Sequence, residues 1–221
     1  MIIPKGKVGL LSGTWGSGKG LALVQLAIAV ATGGEWFGRL QANKGKVLLA
    51  SAVDDSDDIL RRMQYACDLL KLSDEEINDV ESNVMMAPTG PGLPSFFLTA
   101  EGERTELLEG IREAVECHKI ALVILDPWSR FYGHNHNHDK TINELHSIAM
   151  LPCRPSVIVA HSEPIEEGFH WKAHLHNEGE DRVRLINTKM HPEDGQPFRD
   201  ILLSRIDSHE GALSPVEMRV A

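Results

Sequence analysis

The sequence is poor in everything that would staple or anchor it. It carries three cysteines in 221 residues, Cys67, Cys117 and Cys153. Odd in number and widely spaced, they offer neither a disulfide framework nor a paired-cysteine zinc site. Long apolar runs are lacking too. The longest apolar-rich stretch, residues 21–31, is too short to cross a bilayer and is interrupted by Gln25. The first residues, Met1-Ile2-Ile3-Pro4-Lys5, carry no apolar segment of the secretory kind. These absences predict a cytoplasmic chain without a membrane span. Positive charge is scarce as well, with 22 Lys and Arg against 32 Asp and Glu and a net charge of −10. Such a balance argues against a surface that grips nucleic acid everywhere, while leaving room for a local basic loop or a ring-shaped assembly. No internal repeat, low-complexity tract or linker interrupts the chain. With 42% of its residues apolar, the length suffices for one substantial core and is short for two. One domain over residues 1–221 is expected.

What is present begins with GTWGSGKG, residues 13–20. An apolar run at 8–11 precedes it and a long apolar segment at 21–32 follows, so it lies where a strand hands over to a helix. That is the setting of a phosphate-binding loop, whose backbone N–H groups wrap phosphates while the following helix presents its positive end. The pattern asks for glycine at its first and sixth positions, lysine at the seventh and a hydroxyl residue at the eighth. Here the eighth is Gly20. Gly13, Thr14, Trp15, Gly16, Ser17, Gly18, Lys19 and Gly20 are the candidate nucleotide-binding residues.

The rest of the chain alternates strand and helix patterns. Helix 21–32 is apolar nearly all round and ends at Gly33-Gly34. Residues 46–51 form a second buried strand, with Asp54-Asp55-Ser56 capping a helix whose Ile59, Leu60, Met63, Cys67 and Leu70 share a face. Ser73 and Glu76 predict a capping box, and 83–87 a third strand. A helix around 107–115 leads into Ile120-Ala121-Leu122-Val123-Ile124-Leu125-Asp126, the most strongly β-like run. A helix at 140–150 and a fifth strand at 156–160 follow. Strands alternating with helices imply a parallel sheet covered on both faces. From Arg182 onward, strand-like pieces at 182–187 and 200–204 predict an antiparallel extension. Asp126 closes its strand at the carboxyl end, where an aspartate faces the ligand crevice and can orient magnesium through water.

The loop at Gly13, the Leu49-Ala50-Ser51-Ala52-Val53-Asp54-Asp55 strand end, the segment LDPWSRFYG from Leu125 and the late strand Val183-Arg184-Leu185-Ile186-Asn187-Thr188-Lys189 together resemble, in that order, the RecA-type AAA ATPases related to the RepA hexameric replicative helicase. The resemblance runs from about Lys5 to Val216. It implies a RecA-like P-loop NTPase core of the α/β class, ATP with Mg2+, a homo-oligomer such as a hexameric ring, and single-stranded DNA as partner. Lys19 then matches the phosphate lysine and Asp126 the acidic magnesium partner. The magnesium-ligating hydroxyl falls on Gly20, and the water-polarising glutamate on Val53, leaving Asp54 as the nearest substitute. A His-His pair at the fifth strand is reduced to His161, which with Asp54 fills the candidate catalytic positions. The arginine finger of relatives falls on His170, beside Trp171.

Phosphoryl transfer depends on positioned charge, an arginine finger alone being worth on the order of 10³ to 10⁵ in rate. The expectation is therefore an ATP-binding protein with weak or lost hydrolysis, the alternative being a nucleotide-dependent assembly or regulatory module. The Gly133-His134-Asn135-His136-Asn137-His138-Asp139 segment has the composition of a solvated loop; alternate residues of an extended loop point apart, and no metal is assigned to it. Trp128 and Phe131 are expected to pack rather than stack on bases.

Overall fold

The computed structural model describes residues 4–132, 138–165, 167–178, 182–190, 201–205 and 213–215. Val8–Gly13 (β1) is buried along its whole length, and the helix that follows, Lys19–Thr32 (α1), is buried from Ala22 to Ala29 and again at Ala31. A short hairpin, Glu35–Trp36 (β2) and Leu40–Gln41 (β3), covers it. Lys46–Ser51 (β4) leads to Ser56–Leu70 (α2) and Asp74–Asn83 (α3), and Val84–Met86 (β5) forms the sheet edge. Glu106–His118 (α4), Ile120–Asp126 (β6), Ser129–Tyr132 (α5), His138–Ala149 (α6) and Ser156–His161 (β7) complete the alternating part. Then come Trp171–Asn177 (β8), Arg182–Met190 (β9), Ile201–Arg205 (β10) and Leu213–Pro215 (β11).

Among the described residues one nine-stranded sheet has the order β11-β10-β9-β8-β1-β7-β6-β4-β5. From β5 to β8 every pairing is parallel. The pairings of β8 with β9, β9 with β10 and β10 with β11 are antiparallel, as expected for the late strands. Successive side chains of a strand point to opposite faces, so the apolar runs divide between two cores. Leu11, Leu49, Ile124 and Ile158 join α1 and α2 on one face. Leu10, Leu48, Val123, Leu125 and Val159 join α4 and α6 on the other, where Trp128 and Phe131 are fully buried as packing residues.

Local signals account for the helix ends. Asp55 accepts from the Asp58 N–H, Ser73 and Glu76 form the reciprocal capping box, and Gly33 closes α1 in the left-handed region at φ 77°. The expected α2 face needs correction: Ile59, Met63 and Cys67 are buried, but Leu60 and Leu70 are 50% and 41% exposed. The inward stripe runs through Ala66 instead. Strand β8 is an addition to the sequence reading. Its Trp171, Ala173 and Leu175 are buried and alternate with Lys172, His174 and His176, the period of two that a half-buried strand shows.

Gly9 lies directly under Trp171. A β-carbon at Gly9 would stand 2.8 Å from the indole, which is fully buried. Overpacking of this kind costs typically about 1–3 kcal/mol. Gly9→Ala should lower stability by that amount in chemical denaturation, and an unchanged midpoint would show that β1 and β8 separate freely.

Candidate functional site

Parallel register brings the carboxyl ends of β1, β4, β6, β7 and β8 to one edge. Ser51 pairs with Asp126, Ser12 with both His161 and His174, and Gly13 with Leu175. From this edge the loop after β1 turns into α1. Gly16 and Gly18 adopt φ 75° and φ 89°, where a side chain is strained. Gly13 is required for another reason: a β-carbon there would lie 2.6 Å from Ser17 Oγ and 2.8 Å from the Leu175 carbonyl. The Ser17 hydroxyl is buried and has no partner among the described residues. Trp15 stands 95% exposed on the loop.

Helix α1 begins without a side-chain cap and without an acidic residue in its first turn, whereas α2, α3 and α4 are capped by Asp55, Ser73 and Thr105. Its amino end therefore keeps its partial positive charge for an external anion. The Lys19 ammonium donates to the carbonyls of Gly13 at 2.6 Å and Thr14 at 3.0 Å. Burial pulls Lys19 below the ordinary lysine value, and nearby Asp126 opposes that shift.

Asp126 stands across from this end of the helix. Burial, seconded by the charge of Asp54, pushes its carboxyl up to about 6, against the pull of Lys19 and Arg62. Asp54, whose N–H donates to Ser51 Oγ at 3.1 Å, is held by Arg62 of α2 in a two-pronged ion pair, Nη1 to Oδ2 at 2.7 Å and Nη2 to Oδ1 at 3.0 Å. That bond raises the Arg62 guanidinium above its ordinary value, against desolvation. Gly20 faces both groups: a β-carbon there would lie 3.4 Å from Asp126 Oδ2 and 3.6 Å from Arg62 Nη1. Val53 is 44% exposed.

The structure thus gathers Gly13, Thr14, Trp15, Gly16, Ser17, Gly18, Lys19, Gly20, Asp54 and Asp126 at one edge. His161 is at the same edge, but its Nδ1 is turned back onto its own turn, 2.9 Å from the Glu163 carbonyl oxygen and 3.1 Å from the Glu163 amide nitrogen. His170 sits at the other edge, its Nδ1 accepting the Val8 N–H at 3.5 Å. With the length of β1 between them, roughly 17–20 Å by strand rise, His170 does not reach its own chain's loop. Residues 133–137, and with them His134 and His136, lie outside the described residues; His138 Nε2 accepts the Trp128 indole N–H at 3.3 Å. No group of three or more His, Cys, Asp or Glu able to hold a metal occurs among the described residues.

Arg62 was missed by the sequence reading. Its signal lies in the period of α2, three residues after buried Ile59 and four before buried Ala66, which turns it inward. Ser12 and His174, joined at 2.9 Å, and Asn177, which donates to Thr14 Oγ1 at 3.4 Å, were missed because β8 was not foreseen. A cavity of about 460 Å³ near Lys5, Lys44, Lys119 and Cys153 opens at the other sheet edge, by the first residues of β6 and β7, and shares no residue with this loop.

A strand, glycine loop and buried helix beside a strand-end aspartate, on a RecA-like α/β core, define a P-loop nucleotide-binding protein. The chain belongs to the AAA domain family, whose model matches residues 1–149 and so includes the loop, Asp54, Arg62 and Asp126. A search of curated proteins finds no match to the chain. Among the described residues no helix is long and apolar enough to cross a membrane.

The raised Asp126 carboxyl has a consequence for stability. A folded-state value near 6 against an ordinary 3.8 means that the folded chain holds this proton more tightly. The contribution is fully present below about pH 4 and is lost as pH rises through 6. Asp126→Asn should therefore be more stable than wild type at pH 7.5, by at most about 3 kcal/mol at roughly 1.4 per unit. The difference should vanish below pH 4. Thermal unfolding across that range checks it, and a variant less stable at pH 7.5 contradicts it.

Proposed function

We propose that this chain binds ATP on the 13–20 loop and hydrolyses it slowly or not at all. The observation that carries this reading is the amino end of α1, uncapped and free of acidic residues, with Lys19 folded onto the loop's own carbonyls. Triphosphate oxygens would take over Lys19 and the N–H groups of Gly18, Lys19 and Gly20. Slow turnover follows from the same geometry. Val53 offers no base, and both carboxylate oxygens of Asp54 are engaged by Arg62, which leaves neither free to orient an attacking water. His161, engaged by its own turn, is a weak substitute.

Magnesium would neutralise charge on the transferred phosphoryl group when bound. The donor set fits it poorly: Gly20 brings no hydroxyl and Asp54 is committed to Arg62, so Asp126 is the one carboxylate left for a water-mediated contact. By its likeness to RepA-related ATPases, the proposal extends to one cytoplasmic domain over 1–221 that assembles as a homo-oligomer such as a hexameric ring. Single-stranded DNA is the partner such a ring implies, held by a local basic element given the net charge of −10. Weak turnover favours a nucleotide-dependent assembly role over a motor.

Lys19→Ala should weaken ATP at least about tenfold, the loss of one charge-assisted hydrogen bond or more. Equilibrium titration followed through Trp15 fluorescence measures it, and an unchanged Kd removes the loop from the site. Wild-type phosphate release should be very slow with or without single-stranded DNA. Gly20→Ser with Val53→Glu should raise it by more than the product of the two single changes, because both groups act on one transition state. Brisk release by the wild type sinks this account of the defects.

A further inference from the structure

We propose that the Arg62 guanidinium is a phosphate-binding cation of this site, standing where a loop of the full pattern brings its hydroxyl and metal, so that ATP binds without magnesium. The inference rests on the nucleotide reading above. In the full pattern the residue after the lysine places its hydroxyl on magnesium. Here that residue is Gly20, and the space off its α-carbon is bounded by Asp126 Oδ2 and Arg62 Nη1, 3.4 and 3.6 Å from where a β-carbon would be. A permanent positive charge therefore stands beside the place of the missing ligand, next to the Asp126 carboxylate.

Three features suit that charge to phosphate. Its position is fixed, because the two bonds to Asp54 at 2.7 and 3.0 Å hold the planar group in one orientation. Donors remain, because a guanidinium has five N–H groups and Asp54 takes two. The side chain is 32% exposed, so a ligand on the loop can reach it. The local charges also close without a metal: Lys19 and Arg62 face Asp54 and Asp126, two cations against two anions. Magnesium would have to compete with Arg62 for Asp54, whereas a triphosphate meets the end of a helix and two cations whose charge is already shared with Asp54 and Asp126 but whose remaining N–H donors face the loop.

Equilibrium titration of ATP in EDTA and in excess magnesium tests this with wild type, Arg62→Gln, Arg62→Lys and Asp54→Asn. The expected result is a wild-type Kd that differs less than about threefold between the two conditions. Arg62→Gln should lose about tenfold or more in EDTA and recover part of it with magnesium. Arg62→Lys should fall between. Asp54→Asn keeps one amide oxygen as an acceptor for the guanidinium and removes the competing carboxylate charge, so it should bind ATP in EDTA at least as tightly as wild type, even if Arg62→Gln loses its folded state by thermal unfolding. Wild-type binding that collapses tenfold in EDTA overturns the proposal. So does Arg62→Gln matching wild type there, or Asp54→Asn binding more weakly. Those outcomes leave the nucleotide reading standing as long as Lys19→Ala weakens binding about tenfold or more, while a wild type that binds no ATP in either condition overturns both.

Discussion

Helix α1 is buried on nearly every side, and the site depends on that. The sheet lies under it, α2 and α3 lie against it, and the β2–β3 hairpin closes over it. The Trp36 indole N–H donates to the Ala22 carbonyl at 2.8 Å, and Asn83 donates to the Ala31 carbonyl at 3.1 Å. A helix held this way cannot roll or slide without opening the core, since close-packed interiors have two arrangements or one, not a continuum. Its first turn is thereby fixed against β1 on one side and α2 on the other. Gly20 is brought up to Arg62 and Asp126 by the same packing that buries Leu23 and Leu26.

Much of this was legible in the sequence because it follows from period and punctuation. Residues 47–50 and 120–125 are continuous apolar runs, as strands covered on both faces are, and the strands 46–51 and 120–126 were placed to the residue. The capping box at Ser73 and the glycine end at Gly33 rest on local chemistry that tertiary structure seldom overrides. The loop and Asp126 share an edge because parallel strands bring all their carboxyl ends to the same side. What stayed hidden depends on pairing across long separations. The alternation of Trp171, Ala173 and Leu175 with Lys172, His174 and His176 stands in the sequence, but the place of β8 between β1 and β9 comes only from its pairing. Arg62 is hidden for a different reason. A charged residue in an amphipathic helix ordinarily faces water, and only the meeting of α2 with the ends of β4 and β6 reveals its carboxylate partner.

In the proposed reading, binding and turnover separate for a physical reason. An arginine held by Asp54 would present its remaining donors to phosphate before any bond begins to break. Interactions of equal strength in ground and transition states lower the dissociation constant and leave the chemical step untouched. Acceleration requires groups whose contacts strengthen as charge moves, such as a base at the attacking water, and position 53 supplies valine. Restoring that base would place a second carboxylate beside the one Arg62 already neutralises. The guanidinium would then be divided between carboxylates and phosphate, so a gain in rate at this site would come with weaker metal-free binding. Arg62 and Val53 are in this sense one choice: a fixed cation of the kind proposed for Arg62 is most effective where no catalytic carboxylate competes for it.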